Sequence, residues 1–408
     1  MEKPEGACVY RNARLADGSQ ATLSVQDGRF KSITPGAAIP EEAVAQIVDL
    51  GGRLVLPGLV DGHIHLDKSF VGDVWKPHRA CADGFDVRER VAIEKELFTS
   101  AAPMHERAAA LLRLCIAQGT TRMRSHVDID VDVGLRHLET VLAARETFAS
   151  LVEIQIVAFP QSGILAAPGT EELLDAAIVE GADLVGGLDP ASFDRDVERH
   201  LDVVFGIAER RGVGVDIHLH DATRLGIFEL EQIAERTRAL GMQGKVAVSH
   251  AYALGEVDEG TMRRTAAQLA EAGVAIMTNA PGNHPFPPVL PLRQEGVTVF
   301  SGNDNIRDAW WPYGDGDMLR RANMIGYRSG FYTDDELEVA LDLATDAAAE
   351  ALGLDDYGLR VGARADFVTL KASHGAEAVA SCPPRQDVYR AGRLVARDGY
   401  LVDRSGEA

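Results

Sequence analysis

The stretch Leu56-Pro-Gly-Leu-Val-Asp-Gly-His-Ile-His-Leu-Asp-Lys68 decides how the rest of the chain is read. Its centre, His63-Ile-His65, places two imidazoles two residues apart on a strand-like run. Alternate strand residues face the same side, so both rings can reach one ion. The apolar approach through Leu54, Val55, Leu56, Leu59 and Val60 predicts a buried barrel strand, and Pro57-Gly58 marks a bend just before it. Two histidines alone do not hold a first-row metal, which takes three or four ligands. The other donors must come from elsewhere in the chain.

Upstream, residues 7–12, 21–26, 29–33 and 45–49 read as short strands, with Asp27-Gly28 as a hairpin turn. Downstream, a polar-aromatic loop over 74–85 leads into a helix. A repeating alternation follows, in which each helical pattern precedes a short apolar strand. The strands fall at 120–128, 152–159, 184–188, 213–218, 246–250, 274–278 and 297–301. With the His63 strand first, that makes eight strands at roughly thirty-residue spacing, which predicts an α/β fold of the (β/α)8 type. The tail returns to strand-like segments at 361–370 and 387–402. Strands at both ends, outside the barrel, are expected to pair in one small β-sandwich. The expected domains are therefore 1–56 and 357–408 as the two parts of that sandwich, and 57–356 as the barrel.

Composition narrows the function classes. A chain of 408 residues fits one large α/β domain with an appendage. The formal charge of -21, with no cluster of Lys and Arg, excludes a nucleic-acid binder. Cys8, Cys81, Cys115 and Cys382 are scattered and form no CxxC, which points to a reducing compartment without structural zinc. Residues 1–6 carry no apolar leader pattern, and no run of eighteen apolar residues occurs. The expectation is a cytoplasmic, soluble homo-oligomer that acts on a small molecule and uses neither membrane nor nucleic acid.

In a (β/α)8 barrel the working residues sit at the carboxyl ends of the strands. The polar residues of this chain fall there: His63 and His65 on the first strand, His126 and Asp128 on the second, Gln161 after the third. His218 and His220 end the fifth strand, His250 the sixth, and Asp304 follows the eighth. Packing accounts for one such histidine but not for several converging on one face. Neutral imidazole and carboxylate suit Zn²⁺ or Fe²⁺, and a bound ion with an open position lowers the pKa of water toward about 7.

Pro57-Gly-Leu-Val-Asp-Gly-His-Ile-His65, His218, His250 and Asp304 together resemble the amidohydrolase superfamily, and Val361-Gly-Ala-Arg-Ala-Asp-Phe-Val-Thr-Leu370 is similar to its C-terminal sandwich segment. Residues 63–67, 157–164 and 302–310 resemble the subgroup of cytosine deaminase and the N-isopropylammelide amidohydrolases. The resemblance implies that His63, His65, His218 and Asp304 hold one divalent metal ion. His250 would then hydrogen-bond the attacking water or the leaving group, Gln161 would read the amide edge of a ring, and Trp310 would wall the pocket. The end of the fourth strand, Gly186-Gly-Leu-Asp-Pro190, has no lysine to bridge two metals.

Two positions depart from the cytosine deaminases. Asp221 stands where they carry a glutamate proton shuttle, and Asn305 where they tend to carry a second aspartate. Asp221 is expected as proton donor, with Lys68 the other nearby acid and His220 a further group that could face the substrate. The implied reaction is hydrolysis of a C–N bond at an sp² ring carbon of a cytosine-like or amino-triazine-like heterocycle. A cyclic-amide hydrolase of the dihydroorotase or hydantoinase kind is the enzymatic alternative, and a non-catalytic scaffold the other. A His/Cys/Cys zinc deaminase is excluded, because Cys382 is followed by Pro-Pro-Arg.

Overall fold

A computed structural model describes residues 7–36, 44–84 and 86–402. The leader reading of residues 1–6, part of the first sandwich segment at 37–43, Phe85 of the aromatic loop, and residues 403–408 lie outside the described residues.

The two ends of the chain build one nine-stranded sheet. Its junction is Leu54–Pro57, which pairs antiparallel with Phe367–Leu370 and meets Ala7–Arg14 through Leu54. The Asp27-Gly28 turn joins Gln20–Gln26 to Arg29–Pro35, both turn residues having positive φ (52° and 78°), as a two-residue hairpin requires. Tyr10, Phe30, Phe367 and Tyr389 form its aromatic core, with Phe367 and Tyr389 stacked at 4.4 Å. Arg122, buried on a barrel strand, donates to Asp366 (2.5 Å) and Asp356 (3.2 Å) and ties this sheet to the barrel.

Directly after Gly58 the chain enters a parallel eight-stranded sheet. Its strands are β1 (Leu59–Ile64), β2 (Thr120–Asp128), β3 (Glu153–Phe159), β4 (Leu184–Leu188), β5 (Gly214–Leu219), β6 (Val246–His250), β7 (Val274–Thr278) and β8 (Val299–Ser301). Each pairs with its sequence neighbours, and a parallel bridge between Ile64 and Asp304 brings the last strand back to the first. The result is a nearly closed (β/α)8 barrel. All strands but β3 and β5 are buried along their whole lengths, and β4 and β7 are correspondingly free of charged residues, whereas β2 buries Arg122 and Arg124 through ion pairs.

Side-chain capping sets the start of several helices. The helix before β5 begins at Val197, because the Asp196 side chain accepts from Arg199 N and sets the first turn there. Three helices not anticipated from the alternation, Met318–Ser329, Asp334–Asp342 and Asp346–Ala351, fill the interval between barrel and tail. No helix among the described residues is long and apolar enough to cross a membrane.

Candidate active site

Strand ends bring four candidate ligands together. His63 Nε2 and His65 Nε2 lie 3.5 and 3.4 Å from Asp304 Oδ1. His63, His65 and His218 present ring nitrogens all within 4.8 Å of one another, as do donor atoms of His63, His250 and Asp304. His63 Nε2 and both ring nitrogens of His218 are buried without a hydrogen-bond partner. Buried polar atoms are normally satisfied, so this orphaned set has the chemistry of a divalent-metal site.

Neighbouring groups set which nitrogen carries the proton. Ser249 donates to Asp216 (2.8 Å), so its oxygen accepts from His63 Nδ1 (2.9 Å) and leaves Nε2 as the lone-pair atom. His65 Nδ1 faces the His126 carbonyl at 3.2 Å with the same consequence. Burial, followed by the surrounding imidazoles, holds His63 and His218 far below the usual histidine pKa, in the neutral form a metal requires. Burial opposes ionisation of Asp304, but His250 and His65 keep its carboxyl below the ordinary range. His250 is pushed down to about 3, by burial first and His220 next.

The backbone at these ends is unusual. His250 (φ 74°), Asp304 (φ 60°) and Asp189 (φ 36°) are non-glycine residues in the left-handed region. Such conformations cost about 1–3 kcal/mol each and persist where the surroundings hold them, commonly at functional sites.

Above the cluster lies a cavity of about 220 Å³. His65, His218, His220, His250 and Asp304 line it together with Lys68, Phe159, Gln161, Asn305 and Trp310. His63 lies beneath it, fully buried. Lys68 Nζ stands 3.1 Å from Asp128 and packs over Phe159 and Trp310 at 5.1 and 5.4 Å. Burial opposes its charge, but Asp128, Glu94 and Asp67 together raise its pKa above the usual lysine value. Burial pushes Glu94 up to about 8 against the pull of Lys68, and Glu94 accepts from Trp310 Nε1 at 2.7 Å. Gln161 is buried with its Nε2 unpartnered. Asn305 donates to Asp308 at 2.7 Å.

Asp221 is not among the residues the structure brings to this cavity. β5 ends at Leu219, and alternation puts His218 and His220 on the cavity side. Asp221 turns away instead, accepting from Ser192 N at 3.1 Å and facing Glu229. His220 occupies the wall, stacked on His250 at 4.6 Å, with Nδ1 2.9 Å from Asp189.

Several site residues escaped the sequence reading. Asn279, directly after β7, donates to Asp304 at 2.7 Å, and the rule used for the other strand ends would have found it. Asp189 sits at the end of β4 in the same way. Ser249 and Asp216 lie within strands, and only the packed barrel reveals them. Tyr252, Glu256, His284 and Arg321 reach the cavity from loops and a helix with no sequence signal.

Residues 46–403 match the family model described as the amidohydrolase family. The solved N-isopropylammelide isopropylaminohydrolase of Burkholderia multivorans is 45% identical, with a TM-score of 0.91 and a match covering 97% of this chain and 100% of that one. The 5-methylcytosine deaminase of Klebsiella pneumoniae, solved with 5-fluorocytosine, is 30% identical, with a TM-score of 0.83 over 97% of this chain and 98% of that one. N-isopropylammelide isopropyl amidohydrolase of Pseudomonas sp. strain ADP is 31% identical over 400 residues, 97% of this chain and 98% of the relative. Matched along nearly its whole length, the chain is a hydrolase that belongs to the amidohydrolase family.

Proposed function

We propose that this enzyme hydrolyses an exocyclic C–N bond at an sp² ring carbon of a cytosine-like or amino-triazine-like heterocycle. The observation that carries the reading is the cavity itself, which sets unpartnered imidazoles against Gln161, Lys68 and two aromatic faces. Relatives acting on N-isopropylammelide and 5-methylcytosine support the substrate class.

His63, His65, His218 and Asp304 would hold one divalent ion, zinc or iron. When bound, the ion supplies Lewis-acid activation of water at neutral pH. Asp304 and His250 border the same space and accept the proton that the attacking water loses. His220, its Nδ1 committed to Asp189, offers Nε2 to protonate the ring nitrogen and takes a proton back as the carbonyl forms, while the proton accepted by Asp304 and His250 passes to the leaving amine. Asp221 supports this wall from behind. Gln161 offers both a donor and an acceptor to a ring amide edge, Lys68 donates to a ring oxygen, and Phe159 and Trp310 pack against the ring. Asn305, on the cavity wall, donates to the buried Asp308.

The cyclic-amide hydrolase reading is weaker, because the end of β4 carries Asp189, bound to His220, where a metal-bridging lysine would be needed. A scaffold that had lost catalysis has no reason to keep every donor of the cluster. Four cysteines with no disulfide among them suit a cytoplasmic enzyme, and a homo-oligomer remains our expectation.

The decisive experiment loads the protein with zinc or iron and screens aminopyrimidines, amino-triazines and pterins for release of ammonia or alkylamine. One metal equivalent per chain and amine release are expected. Ring opening of hydantoins or dihydropyrimidines, without amine release, would overturn the reading.

A further inference from the structure

A second cluster of acids lies behind the His220 wall. Glu229, on the helix Thr223–Ala239, is fully buried. Its Oε1 accepts from Ala191 N at 2.8 Å, while Oε2 finds no N–H or hydroxyl donor and faces the Asp221 carboxyl. Asp221 accepts from Ser192 N at 3.1 Å. The two carboxyls therefore grip consecutive amides of the loop that follows β4. At the head of that loop Asp189, at φ 36°, accepts from His220 N (2.6 Å) and from His220 Nδ1 (2.9 Å).

Two facing carboxylates in a buried site cannot both stay ionised, so one carries a proton. Glu229 is the deeper of the two, at 0% exposure against 6% for Asp221. We propose that Glu229 is a positioning residue held in its protonated form, its O–H donating to Asp221, so that the joined pair pins the 189–192 loop and thereby orients His220. Charge on the neighbouring groups agrees. Burial, then the Asp221 carboxyl, pushes Glu229 up to about 9, with Asp189 adding to the rise. Burial, then Asp189, raises Asp221 as well.

The role assigned to His220 rests on the proposed reaction, but the protonation of Glu229 does not. The test therefore has two arms on the full-length, metal-loaded protein. In Glu229→Gln the amide oxygen can accept from Ala191 N–H and the amide N–H can donate to Asp221, so the variant mimics the protonated acid. In Glu229→Leu both bonds are lost at similar volume. The kinetic arm expects Glu229→Gln to stay close to wild type. Glu229→Leu should lose at least about tenfold in kcat with little change in KM, the scale of one or two hydrogen bonds. The second arm is infrared difference spectroscopy at neutral pH, which needs no turnover. A carbonyl band of a protonated carboxylic acid, present in wild type and missing from Glu229→Gln, is expected. Glu229→Gln falling as far as Glu229→Leu, or no such band lost from Glu229→Gln, overturns the proposal. If Glu229→Leu does not fold, Glu229→Gln and the infrared arm still decide.

Discussion

Asp304 N donates to the His63 carbonyl at 2.7 Å. With the parallel Ile64–Asp304 bridge, this contact both closes the barrel and delivers the last candidate ligand to the first. Fold closure and site assembly are one feature here. Asp304 is drawn out of regular strand geometry to make it, at φ 60°.

Gly302 makes that approach possible. A Cβ there would lie 2.4 and 2.5 Å from His63 N and O, and backbone atoms cannot swing aside as a side chain can. Gly302→Ala is expected to destabilise the protein by at least about 1–3 kcal/mol, the range of overpacked cores. It should also lower retained metal. Thermal unfolding and metal analysis check both, and an unchanged melting temperature would contradict the role given to this glycine.

Ser249 touches no cavity surface, yet it fixes the tautomer of His63 through Asp216. Ser249→Ala should leave the fold intact and weaken metal binding by about 10–100-fold, as loss of a supporting partner to a metal histidine usually does. Competition with a chromophoric chelator measures it. Affinity equal to wild type would mean that His63 needs no such partner.

His220 and Asp221 separate two accounts of the proton. His220→Gln should lower kcat by about 10²–10⁴-fold, the contribution of a general acid. Asp221→Asn keeps an acceptor for Ser192 N and can donate to Glu229, so its loss should stay below about tenfold, within what a single altered hydrogen bond explains. The reverse ranking in steady-state kinetics would return the acid role to Asp221.

Glu229 also predicts a pH dependence of stability. Its folded pKa, about 9, lies above the ordinary 4.5, so the folded state holds one more proton than the unfolded state between these values. The stabilisation is complete below the lower value and is lost as pH rises toward the upper. Glu229→Gln cannot titrate there. Wild type should therefore lose stability relative to Glu229→Gln as pH increases from 5 to 9, read by urea unfolding at each pH. Parallel stability curves over that window would show that Glu229 has no raised pKa.

Much of the architecture was legible because it rests on local periodicity. Alternating helical and short strand-like segments are a property of neighbouring residues, and β2, β4, β6 and β7 lie where that alternation places them. The candidate ligands were legible for a related reason, since a barrel puts strand ends on one face and His63, His65, His218 and Asp304 all sit at or just past such ends. The sequence reading put Asp221 ahead of His220, adjacent residues beyond the end of β5, whereas the structure lines the cavity with His220. Which of two neighbours faces the cavity depends on how the chain leaves the strand. That path is held by Asp189, Ser192 and Glu229, contacts from other segments. The same holds for Ser249, Asp216 and Asn279, whose roles exist only once the strands are side by side. Local pattern determined the barrel and its ring of donors; side-chain direction past a strand end, and the buried partners that set each protonation state, were decided only by tertiary packing.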